Sequence, residues 1–166
     1  MDLLVNPTGW ARWGVHRLRC ALGKGGVCTA KREGDGVTPA GAFAMRRVLY
    51  RPYRGVAPAT RLPMAPIATS DGWCDDPADA AYNQPVKLPY RARAERLWRD
   101  DRLYDLLVVL GYNDDPVIAG AGSAIFLHVA AADYAPTEGC IALAPDDLHR
   151  VLGDADITSR VVVAAP

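Results

Sequence analysis

Frequent glycine and proline residues divide this sequence into short apolar runs, and this spacing constrains the fold more than any other feature. The chain contains 15 glycines and 13 prolines among 166 residues. Apolar runs bounded by such turn residues are typical of β-strands. The sequence therefore predicts a mainly β protein, with one strand in each of Trp10–Leu22, Phe43–Tyr50, Tyr104–Leu110 and Ser123–Val129 and a closing strand that contains Arg160–Val163.

Helical patterns are confined to two segments, Ala92–Asp101 and Pro145–Leu152. The second begins with proline, which suits the first helical position, and continues with two aspartates that place negative charge in the first turn. We expect Gly153 to end this helix, because glycine commonly follows the last helical residue. The sequence thus predicts one or two short helices beside the strands.

Length and composition indicate one domain that comprises residues 1–166. The formal net charge is zero, so nothing suggests a surface for nucleic acid or anionic lipid. No stretch is long and apolar enough to cross a membrane, and the first residues lack the basic and apolar parts of an export signal. We therefore expect a cytoplasmic protein from the chain as given, or a periplasmic one if a leader was removed.

A proline-rich segment, Arg51–Pro89, shows little periodicity and is too long for a simple loop. We interpret it as a functional flap or an irregular insertion. Trp73 and Tyr82 lie within it, and aromatic rings on such a loop suit the wall of a substrate site. The same rings could instead form a small core of the loop itself, which we consider the more economical interpretation.

Cys140 and His128 are the residues that most strongly suggest chemistry. His128 ends an apolar run, and Cys140 follows it after a loop, so the chain can turn back and bring the thiol towards the imidazole. An imidazole is the usual means of activating a cysteine as a nucleophile at neutral pH. Gly139, which has no Cβ, would leave amide groups open to a developing oxyanion. The alternative is a core cysteine without function, since free cysteines are often buried.

At these residues the chain resembles the L,D-transpeptidases with a YkuD-type catalytic domain. The segment Thr38–Phe43 (TPAGAF) matches their upstream Thr-Pro-x-Gly-x-Phe element, one residue after a Gly-Asp-Gly sequence. Thr137, Gly139 and Cys140 match the nucleophile motif, and His128 matches the general base. The resemblance runs from about Val15 to the C-terminus. Two separated motifs in the right order are more specific than either motif alone.

Three positions depart from the usual family pattern. Glu138 replaces a histidine, Ala142 replaces an arginine, and Val129 replaces a glycine that commonly follows the base. The nucleophile and the base remain. Loss of an arginine removes a bidentate anchor for a carboxylate, and an added glutamate favours a cation. We therefore expect a changed substrate or acceptor.

The resemblance implies a single mixed β-sheet, folded into a sandwich or partial barrel. It also implies that Cys140 forms an acyl-enzyme with a peptidoglycan stem peptide, while His128 moves the proton and the amides of Gly139 and Cys140 hold the oxyanion. Asp133, Tyr134 or Glu138 could orient His128, and Thr137, beside them, is a further candidate. An amine would complete transpeptidation, whereas water would give an L,D-carboxypeptidase or a related hydrolase that trims muropeptides.

Other functions have weaker support. A binding module that kept the groove but lost turnover would explain Glu138 and Ala142, although the retained nucleophile argues against it. No metal site is expected, because the histidines and cysteines lack any recognised ligand spacing, and no glycine-rich phosphate motif indicates a cofactor. The cysteines other than Cys140 are expected to be core or surface thiols. A disulfide between Cys20 and Cys28 would require export.

Overall fold

The computed structural model describes all residues from Met1 to Pro166, and it is mainly β, as the sequence predicts. The strands are short because turns with glycine or proline follow most of them. In chain order the elements are β1 (Asp2–Asn6), β2 (Trp10–Trp13), β3 (His16–Ala21), β4 (Val27–Cys28), β5 (Thr38–Pro39), β6 (Gly41–Tyr50), β7 (Met64–Pro66), β8 (Asp71–Cys74), β9 (Pro85–Lys87), β10 (Ala94–Arg96), β11 (Leu106–Leu110), β12 (Phe126–Val129), β13 (Ile141–Leu143), α1 (Pro145–Asp154) and β14 (Arg160–Val163).

The largest sheet is mixed and partly closed into a barrel. Its strand order is β11-β12-β13-β3-β2-β1-β14-β6-β7, and β11 also pairs with β6. That additional pairing joins the two ends of the series and leaves β7 as an extension. The pairs β1–β14, β12–β13 and β6–β7 are parallel, whereas the other pairs of this sheet are antiparallel. The predicted partial barrel is therefore confirmed.

Two apolar clusters lie on opposite faces of the β11–β12–β13 wall. Alternate residues of a strand point to opposite faces. Leu127 and Ile141 belong to the larger cluster, which has 25 buried residues and fills the barrel. Phe126 and Cys140 belong to a second cluster of 10 buried residues outside it. The wall is buried on both sides, which explains its continuous apolar sequence.

Helix α1 packs against the barrel core with a single buried face, formed by Leu148, Val151 and Leu152. Pro145 lies at its start and two aspartates follow, as predicted. The expected stop at Gly153 is wrong by one residue, because the helix continues to Asp154 and Ala155 is the C-terminal cap. The Ala155 amide donates to the Val151 carbonyl oxygen at 3.0 Å, so no left-handed glycine is needed there.

Two sequence expectations are corrected by the structure. The run Trp10–Leu22 is not one strand, because Gly14 adopts a positive φ of 56° and turns the chain between β2 and β3. The segment Ala92–Asp101 is not a helix. Its residues Ala94–Arg96 form β10, which pairs antiparallel with β8. Pairing with β8 supplies the backbone hydrogen bonds and buries Leu97, so tertiary contacts override the local helical pattern.

The segment Arg51–Pro89 contains three strands, of which β8 and β9 join β10 in a separate three-stranded sheet. Trp73 in β8 is buried and packs edge-on against Phe126, with ring centroids 5.2 Å apart. The small sheet is thereby fixed against the outer face of the barrel wall. All four cysteines are free thiols. The one helix, α1, falls short of the length and apolarity that crossing a membrane demands.

Candidate active site

The parallel pairing of β12 with β13 brings Cys140 and His128 to the same face of the barrel wall. His128 is paired with Ala142 in this register. Cys140 lies two residues before Ala142, so both side chains point to the same face. His128 and Cys140 are therefore diagonal neighbours, and both line one cavity of about 550 Å³. The segments that carry His128 and Cys140 are therefore neighbours in the sheet, as the sequence predicts.

The loop before Cys140 is shaped by Gly139 and Thr137. Gly139 has a φ of 133°, and a Cβ at this position would lie 2.8 Å from the Val37 carbonyl oxygen, so only glycine fits. The Thr137 hydroxyl donates to the Cys140 carbonyl oxygen at 2.7 Å and accepts from the Gly139 amide at 3.1 Å. Thr137 therefore holds the turn, and it also lines the cavity.

The upstream Thr-Pro element supports the same turn from another part of the chain. Thr38 is fully buried, and its hydroxyl lies 3.5 Å from the Cys140 carbonyl oxygen. The same hydroxyl accepts the Gly23 amide at 2.8 Å. Both threonine hydroxyls thus converge on the carbonyl of the nucleophile residue. This explains physically why two motifs so far apart in sequence belong to one site.

The expected oxyanion site needs a correction. The Gly139 amide donates to Thr137 Oγ1, so it is not free for an oxyanion. The Cys140 amide has no backbone or side-chain acceptor among the hydrogen bonds that hold this loop. Only one of the two predicted amides is therefore available to a bound carbonyl.

The Cys140 thiol is protonated at neutral pH. Burial raises its pKa to about 12, and the negative charge of Glu95 contributes in the same direction. The thiol donates to the Ala124 carbonyl oxygen at 3.2 Å, and the Phe126 amide approaches the sulfur at 3.4 Å. The resting nucleophile is therefore a neutral thiol held by the strand next to it.

His128 is neutral as well. Burial lowers its pKa to about 4, which outweighs the opposite effect of its hydrogen bond to Val129. Its Nδ1 lies 2.8 Å from the Val129 carbonyl oxygen, an interaction that fits a protonated Nδ1 and leaves Nε2 as the free base. The Tyr104 ring packs against the imidazole at 5.2 Å. The backbone of Val129 therefore orients His128.

None of the three predicted orienting side chains bonds to His128. Asp133 is exposed, and its Oδ1 accepts the Ala135 amide at 3.0 Å. Tyr134 packs on a cluster that includes Ala142, under a guanidinium 4.3 Å from its ring. Glu138 is exposed at the cavity rim and forms an ion pair with Lys24 at 2.8 Å. Trp73 does not line the cavity, since it is buried and its indole N–H donates to Asn83 at 2.9 Å.

The cavity contains charged residues that the sequence analysis did not identify: Lys31, Glu33, Asp75, Arg93, Glu95 and Arg99. Tyr104 also lines it and donates its hydroxyl to Glu95. Burial raises the pKa of Glu95, and the hydrogen bond from Tyr104 acts against this shift. Lys31 is the most enclosed of the basic groups, with a side chain that is 3% exposed.

The chain matches the family model of the L,D-transpeptidase catalytic domain, YkuD, over residues 8–163. It therefore belongs to the YkuD family, as the two motifs indicated. Members of this family are generally L,D-transpeptidases, and membership supports a role related to peptidoglycan. None of the curated proteins matches the chain.

Among solved structures, the chain is similar to the helical cell shape determining protein Pgp2 of Campylobacter jejuni. A point mutant of Pgp2 is 17% identical with a TM-score of 0.51, over 99% of this chain and 47% of that one. A second Pgp2 structure is 17% identical with a TM-score of 0.48, over 99% and 48%. At this identity the first likeness shows the fold. The chain spans about half the length of the Pgp2 chains.

Proposed function

We propose that this chain is a cysteine acyl-transferase of the L,D-transpeptidase type that acts on peptidoglycan stem peptides. The observation that carries the proposal is the placement of Cys140 and His128 on one face of the β12–β13 pair, above a shared cavity. Family membership supports the same chemistry. The turn around Cys140 is fixed by Thr137 and Thr38, so the nucleophile has a defined position.

In this mechanism the proton moves during the attack and not before it. Both groups are neutral at rest, so His128 Nε2 takes the thiol proton as the sulfur bonds to the substrate carbonyl carbon. The tetrahedral intermediate then expels an amine, which receives that proton from His128, and a thioester to Cys140 remains. An incoming amine or water breaks the thioester and restores the thiol. The Cys140 thiol must first exchange its hydrogen bond to Ala124 for one to the imidazole.

The cavity is not equipped for an arginine-anchored carboxylate. Ala142, where the family usually has arginine, is completely buried next to His128. Each basic group that lines the cavity has a carboxylate partner, Arg93 with Asp75, Arg99 with Asp101 and Lys31 with Asp35. Glu95 accepts only the Tyr104 hydroxyl. This arrangement supports a substrate or acceptor that differs in charge from the usual one.

The direct experiment is incubation of the purified protein with muropeptides that carry tetrapeptide stems, with products identified by mass. Cross-linked products would indicate transpeptidation, and trimmed stems would indicate an L,D-carboxypeptidase. The matched control is Cys140→Ala, which removes one sulfur atom. Retention of activity in this variant would refute the acyl-enzyme mechanism.

A second candidate function is that of a binding module without turnover. The observation that favours it is the resting state of the thiol, which is protonated and bonded to Ala124 and not to His128. Exposure to a carbapenem distinguishes an enzyme from a binding module. An acylating enzyme should gain one drug mass on Cys140, and the Cys140→Ser variant should gain none. A protein that binds muropeptides but forms no adduct would be a binding module.

A further inference from the structure

Lys31 is a buried charged group that neither motif includes. It lies in the loop between β4 and β5, lines the same cavity as Cys140, and its side chain is 3% exposed. A lysine is rarely so enclosed unless its charge is paired. Asp35 provides the pair, with Oδ1 at 2.8 Å from Lys31 Nζ.

The Asp35 carboxylate is held in its ionised form. Burial alone would raise its pKa, but hydrogen bonds from Lys31, from the Arg32 amide and from the Val37 amide outweigh burial and lower it. Asp35 Oδ2 accepts the Arg32 amide at 2.6 Å, and Oδ1 accepts the Val37 amide at 2.9 Å. The loop therefore fixes Asp35, and Asp35 fixes the direction of the Lys31 side chain.

Two glycines make room for Lys31 beside the nucleophile. A Cβ at Gly122 would lie 2.8 Å from Lys31 Cε, and a Cβ at Gly139 would lie 3.2 Å from Lys31 Nζ. The ammonium thus lies close to Gly139, the residue before Cys140. An ammonium has three N–H donors, and Asp35 is the one hydrogen-bond acceptor that the structure provides. Two donors therefore remain without a protein acceptor, on a residue that lines the cavity.

The charge of Lys31 already acts on the thiol. Its positive charge works against the burial that raises the pKa of Cys140. Because the Gly139 amide donates to Thr137, the turn has only the Cys140 amide left for an oxyanion. A second donor is therefore needed where the substrate carbonyl oxygen becomes negative, and oxyanion stabilisation is commonly the largest single contribution to such reactions.

We propose that Lys31 is a catalytic residue whose ammonium replaces the Gly139 amide as the second oxyanion donor, beside the Cys140 amide. This inference rests on the proposed acyl transfer. When sulfur bonds to the carbonyl carbon, the π-electron pair moves onto oxygen, and the ammonium neutralises that charge without transferring its proton. The electron pair returns as the bond to the leaving amine breaks. Lys31 therefore ends each step in the state in which it began.

The central test compares Lys31→Met with the double variant Lys31→Met/Asp35→Asn. The single variant should lower kcat by about a hundredfold or more, as loss of an oxyanion donor does, with KM little changed. The double variant removes both buried charges and so leaves no lone carboxylate. If the Lys31–Asp35 pair were only structural, the double variant would recover turnover. Such a recovery would overturn the proposal.

The matched control is Lys24→Met, which removes an exposed ammonium that is paired with Glu138 and does not itself line the cavity. Turnover should stay within about threefold of the unchanged protein, because exposed charges are strongly screened. An equal loss in both lysine variants would mean that only the general field of the cavity matters, and would also overturn the proposal. Lys31→Arg, which keeps the charge, checks that folding of the loop survives substitution.

A second readout does not depend on turnover. The rate of Cys140 alkylation by iodoacetamide at pH 8 should fall severalfold in Lys31→Met, since loss of a nearby cation raises the thiol pKa. An unchanged alkylation rate would overturn the role of Lys31. If the unchanged protein processes no muropeptide, the proposed function fails, whereas the alkylation comparison still reports the action of Lys31 on the thiol.

Discussion

The two faces of the β12–β13 pair differ completely in chemistry although they share the same backbone. The inner face carries Leu127 and Ile141, which are fully buried in the barrel core. The outer face carries His128 and Cys140, which are also buried but line a cavity. Similar burial therefore has opposite consequences. On the inner face it provides stability, and on the outer face it keeps both reactive groups uncharged.

The largest expected effect concerns the outer face. Cys140→Ala and His128→Ala should each reduce turnover on muropeptides by at least about a thousandfold, because nucleophile and base act as a unit. The double variant should be no worse than either single variant. Rates measured by product mass would test this. Additive losses would show that the two residues do not share one step.

Substitution on the inner face should lower stability and leave turnover of the folded protein unchanged. Leu127→Ala should lower the free energy of unfolding by about 2–5 kcal/mol through the cavity that it creates in the barrel. The kinetic constants of the folded fraction should change little. Denaturant titration of Leu127→Ala and of Cys140→Ala would compare the two faces. The cysteine variant should lose less stability, since it removes far less buried volume. A loss of turnover per folded molecule in Leu127→Ala would mean that the faces are not independent.

Burial of His128 should move the acidic limb of the pH–rate profile. The pKa of His128 is lowered to about 4, so kcat/KM should hold well below the ordinary histidine pKa of about 6.5 and fall near pH 4. The unfolded chain binds this proton more readily than the folded one. The contribution of His128 to stability is therefore complete above about pH 6.5 and declines as the pH falls towards 4. A limb near 6.5 would contradict the burial of the imidazole.

The Glu95 carboxylate in the cavity should have a smaller effect, on the reactivity of the Cys140 thiol. Glu95→Gln should speed alkylation of Cys140 severalfold at pH 8, because the negative charge of Glu95 helps to raise the thiol pKa. This is opposite in direction to the effect expected for Lys31→Met.

Glu138→Gln should have the smallest effect, with KM, kcat and pH profile all within about twofold. Its side chain is 78% exposed and paired with Lys24, so solvent screens its charge. A clear shift of the acidic limb of the pH–rate profile in this variant would show that Glu138 acts on His128.

The sequence predicted those parts of the fold and site that depend on local pattern. The buried runs around β11 and β12 were evident, because a strand enclosed on both faces is apolar throughout. The proline and aspartates of α1 marked its start. Cys140 and His128 were identified from residue chemistry and from the order of the motifs.

The remaining features depend on contacts between distant segments. Residues 92–101 carry a helical pattern, yet pairing with β8 makes part of this segment a strand. The position of the Lys31 side chain depends on glycines at positions 122 and 139, and no local periodicity connects these three residues. The orienting group of His128 is a backbone carbonyl, which is present at every residue and so leaves no signal in the sequence.

The packing around Ala142 restricts how this site could change. Ala142 is completely buried against Ala21 and Ala130, and Tyr134 covers this group. An arginine at this position would add a long side chain to a fully packed group of small residues, and overpacking of this kind is destabilising. A single substitution therefore cannot restore the usual family residue without a cost in stability.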